Sequence, residues 1–144
     1  MTGAEPGLSR SIDTVGLLEA SRVREKAHTL FYRALAAQAA AAGDERATDR
    51  LNDLHSDEQH HLSRLTARLL ELGAPPQDLS HVPAPAADLA TWETTARPRE
   101  ADEVRWYEAA VALELDDATH AILVEILASE RHHERELAGK WMPA

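Results

Sequence analysis

A chain of 144 residues and 15.8 kDa is the size of one ordinary domain. Its residues are 44% hydrophobic but only 4% aromatic, with alanine and leucine prominent, which is a helical composition and excludes an all-β fold. An excess of 25 Asp+Glu over 15 Lys+Arg gives a formal charge of −10, so nucleic acid and anionic membrane are excluded as primary partners and cations become the natural small ones.

The chain has no cysteine, which removes disulfides, zinc ribbons, iron–sulfur clusters and thiol nucleophiles together, so any metal must be held by His and carboxylate ligands. The opening residues MTGAEPGLSR have no cationic start followed by an apolar run, and no segment approaches a membrane span. A cytoplasmic protein is expected.

Proline divides the chain. After Pro6 none appears until Pro75, and after Pro98 none until Pro143, whereas Pro75, Pro76, Pro83, Pro85 and Pro98 crowd the middle. Because proline breaks helix interiors, two helix-permissive blocks flank one connector. In the first block Gly43-Asp44 supplies a glycine stop followed by an N-cap, predicting helices at about 13–42 and 44–72. The connector, 73–97, includes ADLATWETT, too short a stretch to test for helical period. A third helix is predicted at 98–115, with Pro98 at its favoured first position, and a fourth, capped at Asp116-Asp117, at 117–141. The expectation is one all-α domain over 1–144, a four-helix bundle of two hairpins joined by a long crossover.

The second helix carries Leu51, Leu54, Glu58, His61, Leu65, Leu69 and Leu72 along one face, a core stripe with two polar residues at its centre. The fourth repeats this with Leu123, Ile126, Glu130, His133, Leu137 and Trp141. The first aligns Leu18, Glu25, Tyr32 and Leu35, and the third Glu100, Tyr107 and Val111, each with a glutamate seven residues before a tyrosine.

The halves therefore form a degenerate repeat: Glu25, Tyr32, Asp44, Glu58, His61 against Glu100, Tyr107, Asp116, Glu130, His133. Asp44 to Glu58 and Asp116 to Glu130 are both 14 residues, and the three-residue difference between the halves falls near the hairpin turn, where shortening is tolerated. Four glutamates and two histidines supply six ligands, and four carboxylates neutralise two divalent cations. Glu and His three apart lie close on a helix surface, so each Glu-x-x-His can offer a carboxylate and an imidazole to the same metal pair. Oxygen-rich ligation with one nitrogen per metal suits iron, with manganese as the alternative.

At these residues the chain resembles the ferritin-like di-iron superfamily, particularly the rubrerythrin di-iron domain and bacterioferritin, over roughly residues 12–141. The resemblance implies Glu25 and Glu100 as terminal carboxylates, Glu58 and Glu130 as bridging ones, and His61 and His133 as terminal imidazoles, around two iron ions. Tyr32 and Tyr107 would lie behind them. Glu103, near a rubrerythrin glutamate that exchanges with histidine during redox, and His28, at the equivalent place after Glu25, are additional candidate ligands.

It further implies a di-iron oxidoreductase that oxidises Fe(II) with O₂ or H₂O₂ as a ferroxidase, or reduces peroxide as a peroxidase. A peroxidase would need a separate electron donor, since the cysteines of a rubredoxin domain are absent. Haem is not expected, because Gln59 stands where bacterioferritin places its haem-ligating methionine. A homodimer or higher homo-oligomer is implied, and the chain's end at Ala144 makes a closed storage shell the lesser expectation.

The alternatives are an iron-storage or shell-cargo protein and a metal-free structural bundle. A single Glu-x-x-His is weak evidence, but two in register with two partner glutamates are far stronger. His60 and His132 adjoin the Glu-x-x-His histidines but point about 100° around the helix, towards solvent.

Overall fold

In the computed structural model of the chain, residues 5–139 are described, with side chains from 14 to 138. The elements are α1 (Glu5–Ala41), α2 (Glu45–Glu71), a 3₁₀ turn (Leu89–Thr91), α3 (Trp92–Val111) and α4 (Asp117–Gly139). This is the expected all-α arrangement of two hairpins joined by a crossover.

Gly43 acts as the anticipated stop, and Gly73 ends α2 in the same way. Gly43 and Gly73 take positive φ (72° and 77°), and the amides after them, Asp44 N and Ala74 N, turn back to Ala39 O and Leu69 O at 3.0 and 2.9 Å. Asp44 caps α2 by accepting from Ala47 N, and Asp116 caps α4 by accepting from Thr119 N, each at 3.0 Å.

The boundaries differ at three places. α1 begins at Glu5 rather than about 13, since Pro6 in a first turn forfeits no helical hydrogen bond. α3 begins at Trp92, six residues before the expected start, so Pro98 lies inside the helix and the crossover spans 72–91 rather than 73–97. The local reason is an anchored start. Gln38 clamps the crossover through Ala87 O and Leu89 N, both at 2.9 Å, and Trp92 and Ala96 are buried against Phe31, Leu35 and Leu54, which offsets the one hydrogen bond Pro98 cannot donate. At its other end α3 stops at Val111 rather than 115, leaving Ala112 to Asp116 as the turn that Asp116 ends by capping α4. Trp141 lies outside the described residues.

α1 packs chiefly on α2 and α3 on α4, while α2 and α4 meet more loosely across the bundle. The core accordingly divides in two. One apolar cluster gathers Phe31, Tyr32, Leu35, Leu51, Leu54, Trp92 and Leu137. The other gathers Leu18, Leu65, Leu69, Tyr107, Leu123 and Ile126. Leu72, expected on the α2 stripe, is instead its C-terminal cap and 40% exposed. Among the described residues no helix is long and apolar enough to cross a membrane.

Candidate metal centre

Between the two apolar clusters lies a polar layer with contributions from all four helices. Glu25, Glu58, Glu100 and Glu130 are each 0% exposed, His61 4% and His133 1%. The apolar neighbours above and below each glutamate hold these positions on the inward face, so the helices deliver the carboxylates to one another rather than to water.

The six residues expected from the repeat are brought together. Ligand-capable atoms of Glu25, Glu58, His61 and Glu130 lie within 4.8 Å of one another, as do those of Glu58, Glu100, Glu130 and His133. Glu58 and Glu130 belong to both groups. His61 Nδ1 stands 3.0 Å from Glu58 Oε1, 3.4 Å from Glu25 Oε1 and 3.6 Å from Glu130 Oε2. His133 Nδ1 stands 3.0 Å from Glu130 Oε1 and 3.6 Å from Glu100 Oε1.

Two tyrosines hold the outer carboxylates from opposite ends of the core. Tyr32 on α1 donates to Glu100 Oε2 at 2.5 Å, and Tyr107 on α3 donates to Glu25 Oε2 at 2.7 Å. Each tyrosine thus crosses to the other hairpin. The remaining oxygens of these carboxylates, Glu25 Oε1 and Glu100 Oε1, are buried without a hydrogen-bond partner, as is Glu130 Oε2. A buried unsatisfied acceptor costs about 1–3 kcal/mol, and these three, two beside His61 Nδ1 and one beside His133 Nδ1, are what cations would satisfy.

Without a cation the layer balances its charge with protons. Burial, reinforced by Glu130, lifts the Glu25 carboxyl from 4.5 to about 7. Burial also lifts Glu130 to about 7, with Glu58 and Glu100 adding to it. Burial opposes a charged His61, but the carboxylates of Glu130, Glu25 and Glu58 that face it raise it to about 12, and His133 is raised further by Asp57, Glu100 and Glu130. Glu100 goes the other way: burial works against its charge, but His133 and His28 hold it down to about 2. Both tyrosines are pushed well above 10, by burial first and by the carboxylates they face, and so remain donors.

The additional candidates sit at the edge of this layer. His28, 4% exposed, has Nδ1 at 3.1 Å from Glu58 Oε2 and 3.9 Å from Glu100 Oε2. Glu103, 2% exposed, is bound by Arg24 at 2.9 Å and lies 3.8 Å from His28 Nε2. Neither belongs to the two four-residue groups. His60 and His132 are exposed, as their angle around the helix requires.

One contact escapes the sequence reading. Asp57 Oδ2 lies 2.8 Å from His133 Nε2, on the side of the ring away from the glutamates. Its signal was its place directly before Glu58, but Ser129 stands at the matching place before Glu130, so the repeat does not single it out.

Neither a protein-family model nor a curated protein matches the chain. Among solved structures it superposes on the bacterioferritin-related protein from Bacteroides fragilis, a dodecameric thioferritin of the bacterial domain, with a TM-score of 0.77. The two share 21% identity over 89% of this chain and 83% of that one, a likeness of fold.

Proposed function

We propose that this chain, an all-α bundle with the ferritin-like fold, binds two iron ions in its polar layer and acts as an iron-handling oxidoreductase of the ferroxidase type. The observation that carries the reading is the sharing of Glu58 and Glu130 between two four-residue groups, each completed by one outer glutamate and one imidazole. Glu25, Glu58, His61 and Glu130 would hold one ion, and Glu58, Glu100, Glu130 and His133 the other. The three buried acceptors without partners fit this assignment, since each belongs to a proposed ligand.

When bound, an iron pair supplies two electrons, one from each ion, to O₂ or H₂O₂ as Fe(II) becomes Fe(III). The protein's part is positional. The apolar clusters on either side exclude bulk water, and Tyr32 and Tyr107 fix the orientation of Glu100 and Glu25 so that each presents its second oxygen inward. His61 and His133, proton-bearing in the metal-free layer, must release protons as a cation arrives, so uptake is coupled to proton loss. Peroxide reduction by the same residues would draw electrons from a separate donor protein. Manganese is the alternative occupant.

A second reading is storage within an assembly of this chain. It is favoured by the dodecameric state of the structural neighbour. Metal-free protein loaded aerobically with excess Fe(II), with oxidation followed optically, separates these readings. Saturation near two irons per chain with oxidation supports the catalytic centre, and uptake of many more supports storage. Absence of bound iron contradicts both and leaves manganese or a metal-free scaffold.

A further inference from the structure

We infer that the two metal positions are unequal, and that Asp57, as a positioning residue for His133, makes the His133 position the tighter one. The inference rests on the metal-binding reading above. It starts from a break in the repeat: Glu58 matches Glu130, so Asp57 matches Ser129, and this position offers a carboxylate in one half and a hydroxyl in the other.

The contact is made. Asp57 Oδ2 is 2.8 Å from His133 Nε2, and the same ring's Nδ1 faces Glu130 Oε1 at 3.0 Å and Glu100 Oε1 at 3.6 Å. With Nε2–H donated to Asp57, the Nδ1 lone pair points into the group formed by Glu58, Glu100 and Glu130. A carboxylate behind a ligating imidazole fixes its tautomer and ring orientation and raises its basicity. The Asp57 side chain is 53% exposed, so it reaches the ring from the solvent edge of the layer while His133 itself is buried.

His61 lacks this support. Its Nδ1 faces Glu58, Glu25 and Glu130, but among the described residues no carboxylate is hydrogen-bonded to its Nε2. It borders a cavity of about 210 Å³ between α2 and α4, with Ser129 in the wall, Asp57 there bonded to His133 instead, and Arg64 and Glu125 bonded to each other at 2.8 and 3.0 Å. Ser129 offers a hydroxyl and no charge.

A second break points the same way. His28 and Glu103 are matched in the repeat, each three residues after an outer glutamate. His28 Nδ1 lies 3.1 Å from Glu58, common to both groups, and 3.9 Å from Glu100, which belongs to the His133 group alone, whereas Glu103 is engaged by Arg24. A second imidazole therefore stands by the His133 position, and a neutralised carboxylate is its counterpart.

Anaerobic titration of the metal-free protein with Co(II) against a competing chelator, read from the visible bands of the bound ion, tests this directly. The wild type is expected to bind two ions in two steps, the first tighter by about 10-fold or more. His133→Ala should remove the tight step and His61→Ala the weak one. Asp57→Asn should weaken the tight step by about 10–100-fold and leave the weak step in place. Ser129→Asp, at a half-buried position, should strengthen the weak step and keeps the test decisive if Asp57→Asn fails to fold. Two equal steps in the wild type, or loss of the tight step in His61→Ala, would overturn the inference while leaving the two-metal reading intact. Failure of folded wild-type protein to bind any Co(II) would remove that reading and this inference with it.

Discussion

The phenolic hydroxyl of Tyr107 on α3 donates to Glu25 Oε2 on α1 at 2.7 Å, and the ring that carries it belongs to the apolar cluster on one side of the polar layer. Tyr32 makes the reciprocal bond to Glu100 from the opposite cluster. The two contacts hold the hairpins in register at the level where the carboxylates meet, so stability and the geometry of the centre depend on the same atoms.

Replacing Tyr107 by Phe should expose that dependence. The variant leaves Glu25 Oε2 buried without a donor, a penalty of about 1–3 kcal/mol. Thermal unfolding of the metal-free variant is expected at a lower temperature than wild type, with part of the difference recovered on adding Fe(II) without oxygen or Mn(II). An unchanged Tm in the metal-free state would contradict the assignment.

The shared carboxylates lead to a sharper expectation. Glu58→Ala and Glu130→Ala each remove a ligand from both four-residue groups, so either should lower iron oxidation by at least about 100-fold. Glu103→Gln changes a residue outside both groups and is expected to keep two ions per chain. Full oxidation by both alanine variants would refute the proposed site.

The metal-free protein should lose stability as pH rises. Glu25 is raised from 4.5 to about 7, so its contribution is fully present below 4.5 and is lost as pH rises through 7. His28, on which burial acts downward but hydrogen bonding and proximity to Glu58 prevail, is raised from 6.5 to about 9, and its contribution is lost through pH 9. Glu100, held down to about 2, has the opposite sign, but its contribution is lost only as pH falls through 2 and does not act in this window. Tm of metal-free protein is therefore expected to fall between pH 6.5 and 9, and metal affinity to rise over the same interval because metal binding displaces protons. A Tm that rises from pH 6.5 to 9 would contradict the proton balance described for this layer.

Trp92→Ala tests the start of α3. Trp92 is 5% exposed and packs in the cluster with Phe31, Leu35 and Leu54, and large-to-small changes of this kind cost about 3–5 kcal/mol. Lower helicity by circular dichroism, together with faster amide exchange over residues 92–97, would indicate that the helix then begins at Pro98. Undiminished protection there would show that Trp92 is not the anchor.

The architecture and the six converging residues were legible in the sequence because both rest on local spacing. Glu58 and His61, like Glu130 and His133, announce themselves as polar residues on otherwise apolar stripes, and Gly43 and Asp44 mark the first hairpin by backbone chemistry alone. The early start of α3 was not legible, because it depends on Gln38 and Trp92 contacts between segments far apart in the chain, which outweigh the local signal of Pro98. Asp57 was missed for a related reason. Its partner is 76 residues away, and the repeat that revealed the other residues places a serine at the equivalent position.

The central claim is that Glu58 and Glu130 are common to two metal positions inside one chain. Anomalous scattering at the iron edge from crystals of iron-loaded protein measures this most directly. The account predicts two peaks in the bundle interior, both touching Glu58 and Glu130, one beside His61 and Glu25 and the other beside His133 and Glu100. A single peak, or iron bound only on the protein surface, would contradict it.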